Sequence, residues 1–231
     1  MDGLVLMGIA LFLGVRHSLD PDHVVAVSTL VSEERRLWPA ARLGFIWGIG
    51  HIIPITLVGL PLLILHLEVA SFFEDLFDMG VGFLLVLLGA ITLWRIIKGR
   101  IHYDVHSHNE TVHGHFHRPG HRHPVVNLKR RQWITFGFGL LHGLAGSGAV
   151  AVLAMQASPS LKIAIFFLFL FGIGTVLGMF LMTLIIAAPA LTVASKHGKI
   201  HGSIRMAAGV VSLFLGSYMI LELLPELFAK V

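Results

Sequence analysis

The stretch Arg16-His17-Ser18-Leu19-Asp20-Pro21-Asp22-His23 interrupts an apolar N-terminal region. The run before it, Gly3 to Val15, has 13 residues, and the run after it, Val24 to Val31, is shorter still. Crossing a hydrocarbon core of about 30 Å takes about 20 helical residues, so only the two runs together with the polar stretch can span a membrane. Two histidines, two aspartates and an arginine are therefore expected near mid-bilayer, where ionisable groups are costly and usually functional.

Pro21 predicts a break within this span. Proline has no backbone N–H and its ring disfavours helix at the preceding residue, which favours a new helix with Asp20 as N-cap and Pro21 as its first residue. Asp22 and His23 then lie in the first turn of the second half-helix, and His17 lies at the end of the first. The break allows His17 and His23 to converge, which a straight helix would not.

The composition is that of a polytopic helical membrane protein. Of the 231 residues, 55% are hydrophobic and only 13% are charged, and the mean hydropathy is +0.83. There are no cysteines, which excludes disulfides and thiolate metal sites. The basic residues lie between the apolar runs, so they indicate topology and predict no nucleic-acid binding.

The apolar runs predict about six transmembrane helices, of which the first is the broken one. The other five extend over about 43–65, 79–97, 133–155, 163–188 and 206–224. We divide the chain into a first three-helix unit over residues 1–98, a histidine-rich hydrophilic loop over 99–131 and a second three-helix unit over 132–231. The predicted fold class is therefore an all-α polytopic membrane protein.

The second unit repeats landmarks of the first at a nearly constant offset in the sequence. The segment at His17 corresponds to that at His142, with an offset of 125, and the Gly-Ile-Gly segment at Gly48 corresponds to that at Gly172, with an offset of 124. The third landmark, with an offset of 127, is the set Met79, Gly82 and Gly89, which corresponds to Met206, Gly209 and Gly216.

These offsets predict two inverted repeats, because units of three spans each must insert in opposite orientations. Inverted repeats with broken helices that meet near mid-membrane are typical of transporters. We expect the first helix of each unit to be broken, at Asp20-Pro21-Asp22 in the first and at Ala145-Gly146-Ser147-Gly148 in the second.

The basic residues also predict the orientation. If all six spans cross, 14 lysines and arginines lie on one side and only Lys162 and Lys230 on the other. The positive-inside rule makes the side with 14 basic residues cytoplasmic. We therefore expect a multi-pass protein of the cell (inner) membrane, with both termini outside and the histidine-rich loop in the cytoplasm.

His17, Asp22, His23 and His51 form a candidate site for a divalent metal ion. Imidazole suits nickel, cobalt, zinc and copper, and a carboxylate adds the negative charge that helps to dehydrate a dication. The alternative is structural: Arg16 pairs with an aspartate while the histidines cap or bridge helices. Accessory positions, beside the breaks or equivalent to a candidate ligand in the repeat, are Asp20, His142, Ser147 and Thr175.

The loop over 99–131 is rich in histidine interleaved with Gly, Pro, Asn and Arg. It has no apolar periodicity, so we predict disorder. Flexible histidines would contact metal ions with modest selectivity, and the alternative is a solvated linker between the two units. The eight candidate contacts are His102, His106, His108, His113, His115, His117, His121 and His123.

The motif His17-x4-Asp22-His23 followed by Trp47-Gly-Ile-Gly-His51 resembles the nickel/cobalt transporter family, and in style it is closest to the short branch of UreH-like permeases. The hallmark of that family is His-x4-Asp-His in one membrane helix and a Gly-His motif in the next. The resemblance is specific over residues 14–51. It implies that His17, Asp22, His23 and His51 are metal-site residues.

The leading interpretation is a secondary permease for Ni²⁺ or Co²⁺ that works in the direction of uptake. The ion is then cargo, no resident cofactor is expected, and the predicted partners are the metal ion and the bilayer, with the oligomeric state left open. The sequence has neither the Gly-x4-Gly-Lys-Ser/Thr motif of a P-loop nor the His-Glu-x-x-His motif of a zinc protease, so we expect no enzyme. The alternatives are metal efflux, export of an anion or organic solute on a similar fold, and a membrane metal sensor or storage protein that uses the loop.

Overall fold

The computed structural model describes residues 3–32, 34, 36–67, 71–98, 102–108, 111–117, 128–145, 150, 154, 158, 160–196 and 198–229. This part of the chain forms helices and one pair of strands. In chain order they are α1 (Gly3–His17), α2 (Pro21–Val31), α3 (Leu37–Leu65), α4 (Ser71–Ile97), β1 (His102–His108), β2 (Thr111–His117), α5 (Leu128–Ala145), α6 (Leu161–Lys196) and α7 (Gly198–Ala229).

The predicted break between α1 and α2 is confirmed, and the two helices meet at an angle of 55°. Asp20 is extended, with φ −61° and ψ 143°, and Pro21 is the first residue of α2. The Asp20 carbonyl accepts the first helical hydrogen bond, from the Val24 N–H at 3.1 Å. Its carboxylate makes no cap bond, contrary to the usual use of an N-cap aspartate, and is therefore available to a neighbouring side chain.

The protein is a helical, multi-pass membrane protein. Within the described residues, α3, α4, α6 and α7 are long and apolar enough to cross a membrane, and the α1–α2 pair passes the same test as one bent span. The sequence predicted six spans. The predicted span over 133–155 is described continuously only as far as Ala145, where α5 ends, and the predicted second break at 146–148 lies outside the described residues.

The helices pair across the two units, with α1 on α6, α3 on α5 and α4 on α7. Glycines allow these close approaches, because a Cβ added at Gly14 would collide with the backbone of α6 and one at Gly139 with the backbone of α3. These contacts come in pairs that exchange the roles of the two units. In one such pair, Gly14 contacts Phe171 and Thr175, and Gly139 contacts Trp47 and His51. In the other pair, Gly89 contacts Gly209, and Gly216 contacts Gly82.

An apolar core holds α2 against the rest of the bundle. Its buried members include Val27 of α2, Trp47 of α3, Leu85 of α4 and Met179 of α6. Trp47 is fully buried, and its ring also lies 5.6 Å from that of His142, measured between centroids. The core therefore continues directly into the polar cluster described below.

Arg131 near the start of α5 ties down the end of α2. Its Nη1 lies 2.9 Å from Glu34 Oε1, and its Nη2 donates a hydrogen bond of 2.6 Å to the carbonyl of Leu30. A positive charge at a helix C-terminus is favourable, since unpaired carbonyls gather there. The second half of the broken span is thereby attached to the second unit.

Residues 102–108 and 111–117, within the segment for which the composition predicts disorder, form two antiparallel strands. The register pairs His102 with His117 and His106 with His113. Because alternate positions of a strand lie on opposite faces, all six histidines of β1 and β2 occupy positions on one face. The alternation of histidine with other residues is the sequence pattern that agrees with these strands. His121 and His123 lie outside the described residues.

Candidate metal centre

Four helices bring four histidines and an aspartate together at the break. His17 ends α1, Asp22 and His23 lie in the first turn of α2, His51 lies within α3, and His142 lies in the last turn of α5. His23, His51 and His142 are at most 2% exposed, whereas the side chains of His17 and Asp22 are 19% and 23% exposed. The cluster is thus buried with one more accessible edge.

His23 lies at the centre of the cluster. Its ring centroid is 4.6 Å from that of His17, 4.9 Å from that of His51 and 4.2 Å from that of His142. His51 in turn lies 5.3 Å from His17 and 5.8 Å from His142 between centroids. His23 is therefore in contact with all three other imidazoles.

The two carboxylates of the break each hold histidines. Asp22 accepts a hydrogen bond from His23 Nδ1 at 3.0 Å and another from His142 Nε2 at 2.7 Å. Asp20 accepts one from His17 Nδ1 at 2.9 Å. A carboxylate only accepts hydrogen bonds, so each of these three nitrogens carries a proton and the tautomer of each neutral ring follows.

The remaining ring nitrogens therefore carry lone pairs. His17 Nε2 accepts a hydrogen bond of 3.1 Å from His51 Nε2, which leaves the lone pair of His51 on Nδ1. The atoms His23 Nε2, His51 Nδ1 and His142 Nδ1 are buried and have no hydrogen-bond partner among the residues that the structure describes. Polar atoms buried in this way usually have a partner, so three such nitrogens in one cluster offer lone pairs that a cation could bind.

Two groups in the cluster have the spacing of metal ligands. One is His17, His23 and His51, and the other is Asp22, His23 and His142; within each, the candidate ligand atoms lie within 4.8 Å of one another. The aspartates also occupy the place that carboxylates often take behind metal-binding histidines, where they orient the ring and make it a better donor.

The structure brings all four main candidates, His17, Asp22, His23 and His51, into this cluster, and it adds His142. The structural alternative combined a pairing of Arg16 with an aspartate and histidines that cap or bridge helices. Arg16 is exposed and both carboxylates bind histidines, whereas His142 does bridge its helix to Asp22. The direct bond between His142 and Asp22 was missed. Its signal was the offset of 125 that places His142 over His17.

The other accessory candidates contribute less. Asp20 lies beside the cluster and accepts a hydrogen bond from His17. Thr175 is buried, and its hydroxyl donates to the Phe171 carbonyl of its own helix at 2.9 Å. Ser147 lies outside the described residues. Six of the loop histidines lie in the two strands, apart from the cluster in the sequence.

The family model described as NicO, high-affinity nickel-transport protein, matches residues 3–230. The chain belongs to this family. The resemblance drawn from His17-x4-Asp22-His23 and His51 is thereby confirmed, and the protein is a membrane transport protein and not an enzyme. The same match supports the general expectation that the protein transports nickel across a membrane.

Three curated relatives extend the comparison. The urease accessory protein UreH of Bacillus sp. (strain TB-90) is 30% identical over 224 residues, which cover 96% of this chain and 93% of that protein. The chloroplast proteins FOR GROWTH AND FERTILITY 2 and 1 of Arabidopsis thaliana are 29% and 28% identical, over 91% and 88% of this chain and 55% of each of theirs. No solved structure matches the chain.

Proposed function

We propose that the protein is a secondary permease that carries Ni²⁺ or Co²⁺ across the membrane and binds the ion at His17, Asp22, His23 and His51. The observation that carries the proposal is the set of buried imidazole lone pairs. His23 Nε2 and His51 Nδ1 have no hydrogen-bond partner among the described residues, and a metal ion would supply one. Membership of a nickel-transport family supports nickel as the cargo.

The chemistry of the cluster suits a borderline divalent ion. Neutral imidazoles are good ligands for nickel and cobalt, and Asp22 provides negative charge. That charge is needed because the N-terminus of α2 presents the positive end of its helix dipole to the cluster, which by itself disfavours a cation. His17 Nε2 accepts a hydrogen bond from His51 Nε2, so this bond must break before His17 can bind the ion.

The two three-helix units are proposed to be inverted repeats that alternate access to this cluster. The exchanged glycine contacts support this architecture, because Gly14 on Thr175 and Gly139 on His51 are the same contact with the units swapped. The sequence offsets of the contacting residues are 125 and 124, which agree with those of the repeat. Broken helices that meet at the interface of two repeats are where transporters bind their substrates.

Uptake is the proposed direction, into the cytoplasm from outside. A dication that enters a cell at about −100 mV gains about 4.6 kcal/mol from the membrane field, so uptake needs no other energy source. Export would need a coupled ion. We propose that the loop over 99–131 lies in the cytoplasm and that its histidines are secondary metal contacts, outside the transport path.

Accumulation of radiolabelled nickel in cells that express the chain tests the proposal. We expect cells with the parent to accumulate nickel, and cobalt to compete with it. His23→Ala should abolish the accumulation, whereas the control His66→Gln, an exposed histidine at the end of α3, should leave it unchanged. Equal accumulation with parent and His23→Ala would contradict the site.

Metal efflux is the second candidate, and the same cells distinguish it. Expression that lowers cellular nickel and raises nickel tolerance, with loss of both effects in His23→Ala, would keep the site and reverse the direction. A sensor or storage protein would instead bind nickel without moving it in either direction.

A further inference from the structure

The metal centre contains two groups of possible ligands that share one residue. His17, His23 and His51 form one group, and Asp22, His23 and His142 form the other. Building on the proposed function, we propose that these groups are two successive positions of a single transported ion. We name them the first position and the second position, and assign His142 as a ligand in the second.

His142 has a buried ring nitrogen that is available to coordinate a metal ion. It is 1% exposed, and its Nε2 donates to Asp22 at 2.7 Å. Its Nδ1, which therefore carries the lone pair, is buried and has no hydrogen-bond partner within the described part of the chain. A histidine that served only to hold Asp22 would leave this nitrogen unsatisfied, whereas an ion in the second position satisfies it.

His23 is the residue through which the ion passes from one position to the other. It is the only member common to the two groups, and its ring contacts those of His17 and His142 at 4.6 and 4.2 Å between centroids. With Nδ1 bonded to Asp22, it offers one free lone pair and can hold one ion at a time. Two dications on neighbouring ligands would also repel each other strongly in a buried site, so the positions are occupied alternately.

The two positions differ in charge. The first position is made of three neutral imidazoles, whereas in the second the Asp22 carboxylate lies behind the two imidazoles, bonded to His23 Nδ1 and His142 Nε2. Movement from the first to the second exchanges His17 and His51 for His142 while His23 remains bound. The ion is therefore never without a ligand as it moves, which keeps the cost of crossing the buried centre low.

The repeat gives the two positions opposite orientations. His17 ends α1, and His142 lies in the last turn of α5, at the equivalent place of the second unit with an offset of 125. Each unit thus contributes a histidine at a helix end to one of the two positions. With the units inverted, the first position belongs to one side of the membrane and the second position to the other.

A double-mutant cycle on the purified full-length chain tests the two positions. The substitutions are His51→Gln, which removes the first position, and His142→Gln, which removes the second while its amide can still donate to Asp22. His66→Gln is the control outside the site. Nickel binding is measured by calorimetry, and the initial rate of nickel uptake is measured in proteoliposomes. The elution profile in size-exclusion chromatography checks folding, and His142→Asn repeats the test if His142→Gln fails that check.

Each single variant should retain nickel binding, weakened less than about tenfold, because the other position remains. The double variant should lose at least about a hundredfold, and so should His23→Ala alone, because His23 serves both positions. Each single variant should also slow uptake at least about tenfold although it still binds nickel. This combination of retained binding and lost transport is the signature of a second position on the path.

Two results would overturn the inference. One is that His142→Gln weakens binding by the same factor in the parent and in the His51→Gln background, since this shows independent effects and not alternative positions. The other is uptake by His142→Gln at the rate of the parent. Both leave the proposed function intact, because that proposal fails if the parent chain does not accumulate nickel or if His23→Ala accumulates it equally.

Discussion

Asp22 Oδ2 accepts a hydrogen bond of 2.7 Å from His142 Nε2, and this bond joins side chains that are 120 residues apart in the chain. The other oxygen of the same carboxylate accepts from His23 at 3.0 Å. At the opposite end of α2, Arg131 donates to the Leu30 carbonyl. Helix α5 of the second unit therefore holds α2 of the first unit at both ends, and a movement of one unit against the other acts directly on Asp22 and His23.

Asp22→Asn should lower nickel affinity at least about a hundredfold and abolish transport, because Asp22 orients His23, which both positions share. The amide removes the negative charge, and its NH₂ group faces a ring N–H where the carboxylate had an acceptor, so one of two charge-assisted hydrogen bonds is lost. Calorimetry and proteoliposome uptake on the folded variant measure both effects. Nickel binding and uptake like those of the parent would show that Asp22 is only a structural partner of His23 and His142.

Asp20→Asn provides the matched comparison for Asp22→Asn. The Asp20 side chain is 41% exposed and, among the described residues, bonds only to His17. An asparagine oxygen can still accept that bond, so we expect affinity to fall about tenfold or less. A loss as large as that of Asp22→Asn would show that charge near the break matters more than the bonds to His23 and His142.

Alanine at the contact glycines should destabilise the protein, and the chain offers controls in the same helices. Gly14→Ala and Gly139→Ala each place a methyl group against the backbone of a facing helix, whereas a Cβ at Gly8 or Gly137 meets no atom of the described residues within 4 Å. Overpacking of this kind costs about 1–3 kcal/mol, so thermal unfolding in detergent should occur at a lower temperature for the first two. Gly8→Ala and Gly137→Ala should unfold like the parent or later, because alanine favours helix.

If the units are inverted repeats, the two damaging substitutions should also be similar in size. Gly14 and Gly139 make the same contact with the units exchanged. A large loss of stability at one and none at the other would contradict this equivalence. The measurement is the difference between the midpoints of unfolding of each variant and of its control in the same helix.

The break and the meeting of His17, His23 and His51 could be predicted because each follows from a local rule. Pro21 cannot continue a helix from Asp20, and polar residues in a short apolar span must face one another. The use of Asp20 could not be predicted in this way. A free N-cap aspartate bonds the helix N–H groups, but here the nearby His17 ring offers a donor and the carboxylate binds it instead.

The role of His142 depended on long-range packing, whereas the two strands of the loop pair with each other and are neighbours in the sequence. The offset from His17 identified His142 as equivalent, but only the packing of α5 on α3, with glycine at the contact, brings its ring to Asp22. In the loop, composition predicted disorder, whereas the alternation of histidine with other residues between His102 and His117 agrees with paired strands. Composition indicates the solubility of a segment, whereas periodicity indicates its local structure, so the two patterns give different predictions for the structure of the loop.

Cysteine labelling tests the topology, and the absence of native cysteines makes the experiment direct. The substitutions Asp2→Cys, Glu110→Cys and Lys230→Cys should react with a membrane-impermeant maleimide from outside, inside and outside, respectively. This follows from the excess of basic residues on the side of the loop. External labelling at position 110 would overturn the orientation and with it the cytoplasmic loop.

Deletion of residues 102–123 should leave nickel transport in place and change its rate or its regulation. The deletion removes eight histidines and none of the cluster at the break. Uptake of nickel by the variant, normalised to the amount of protein in the membrane, measures the effect. Complete loss of uptake by a correctly folded and inserted variant would make the loop part of the transport path.

Metal binding by the loop should depend on the face on which each histidine lies, and an exchange of neighbours tests this without changing composition. The pair of substitutions His106→Ser and Ser107→His moves one histidine to the other face of the ladder, away from the register partner His113. Residues directly opposite each other in antiparallel strands have Cβ atoms about 4.5–5.5 Å apart, close enough for two imidazoles to share one ion.

In the His23→Ala background, which removes the binding proposed within the membrane, the exchange should weaken nickel binding about tenfold. The matched control exchanges Tyr103 and Val105, which both lie on the face without histidines, and should change nothing. Nickel binding that is unaffected by moving His106 would mean that the histidines act as a flexible set and that the ladder has no part in holding the metal.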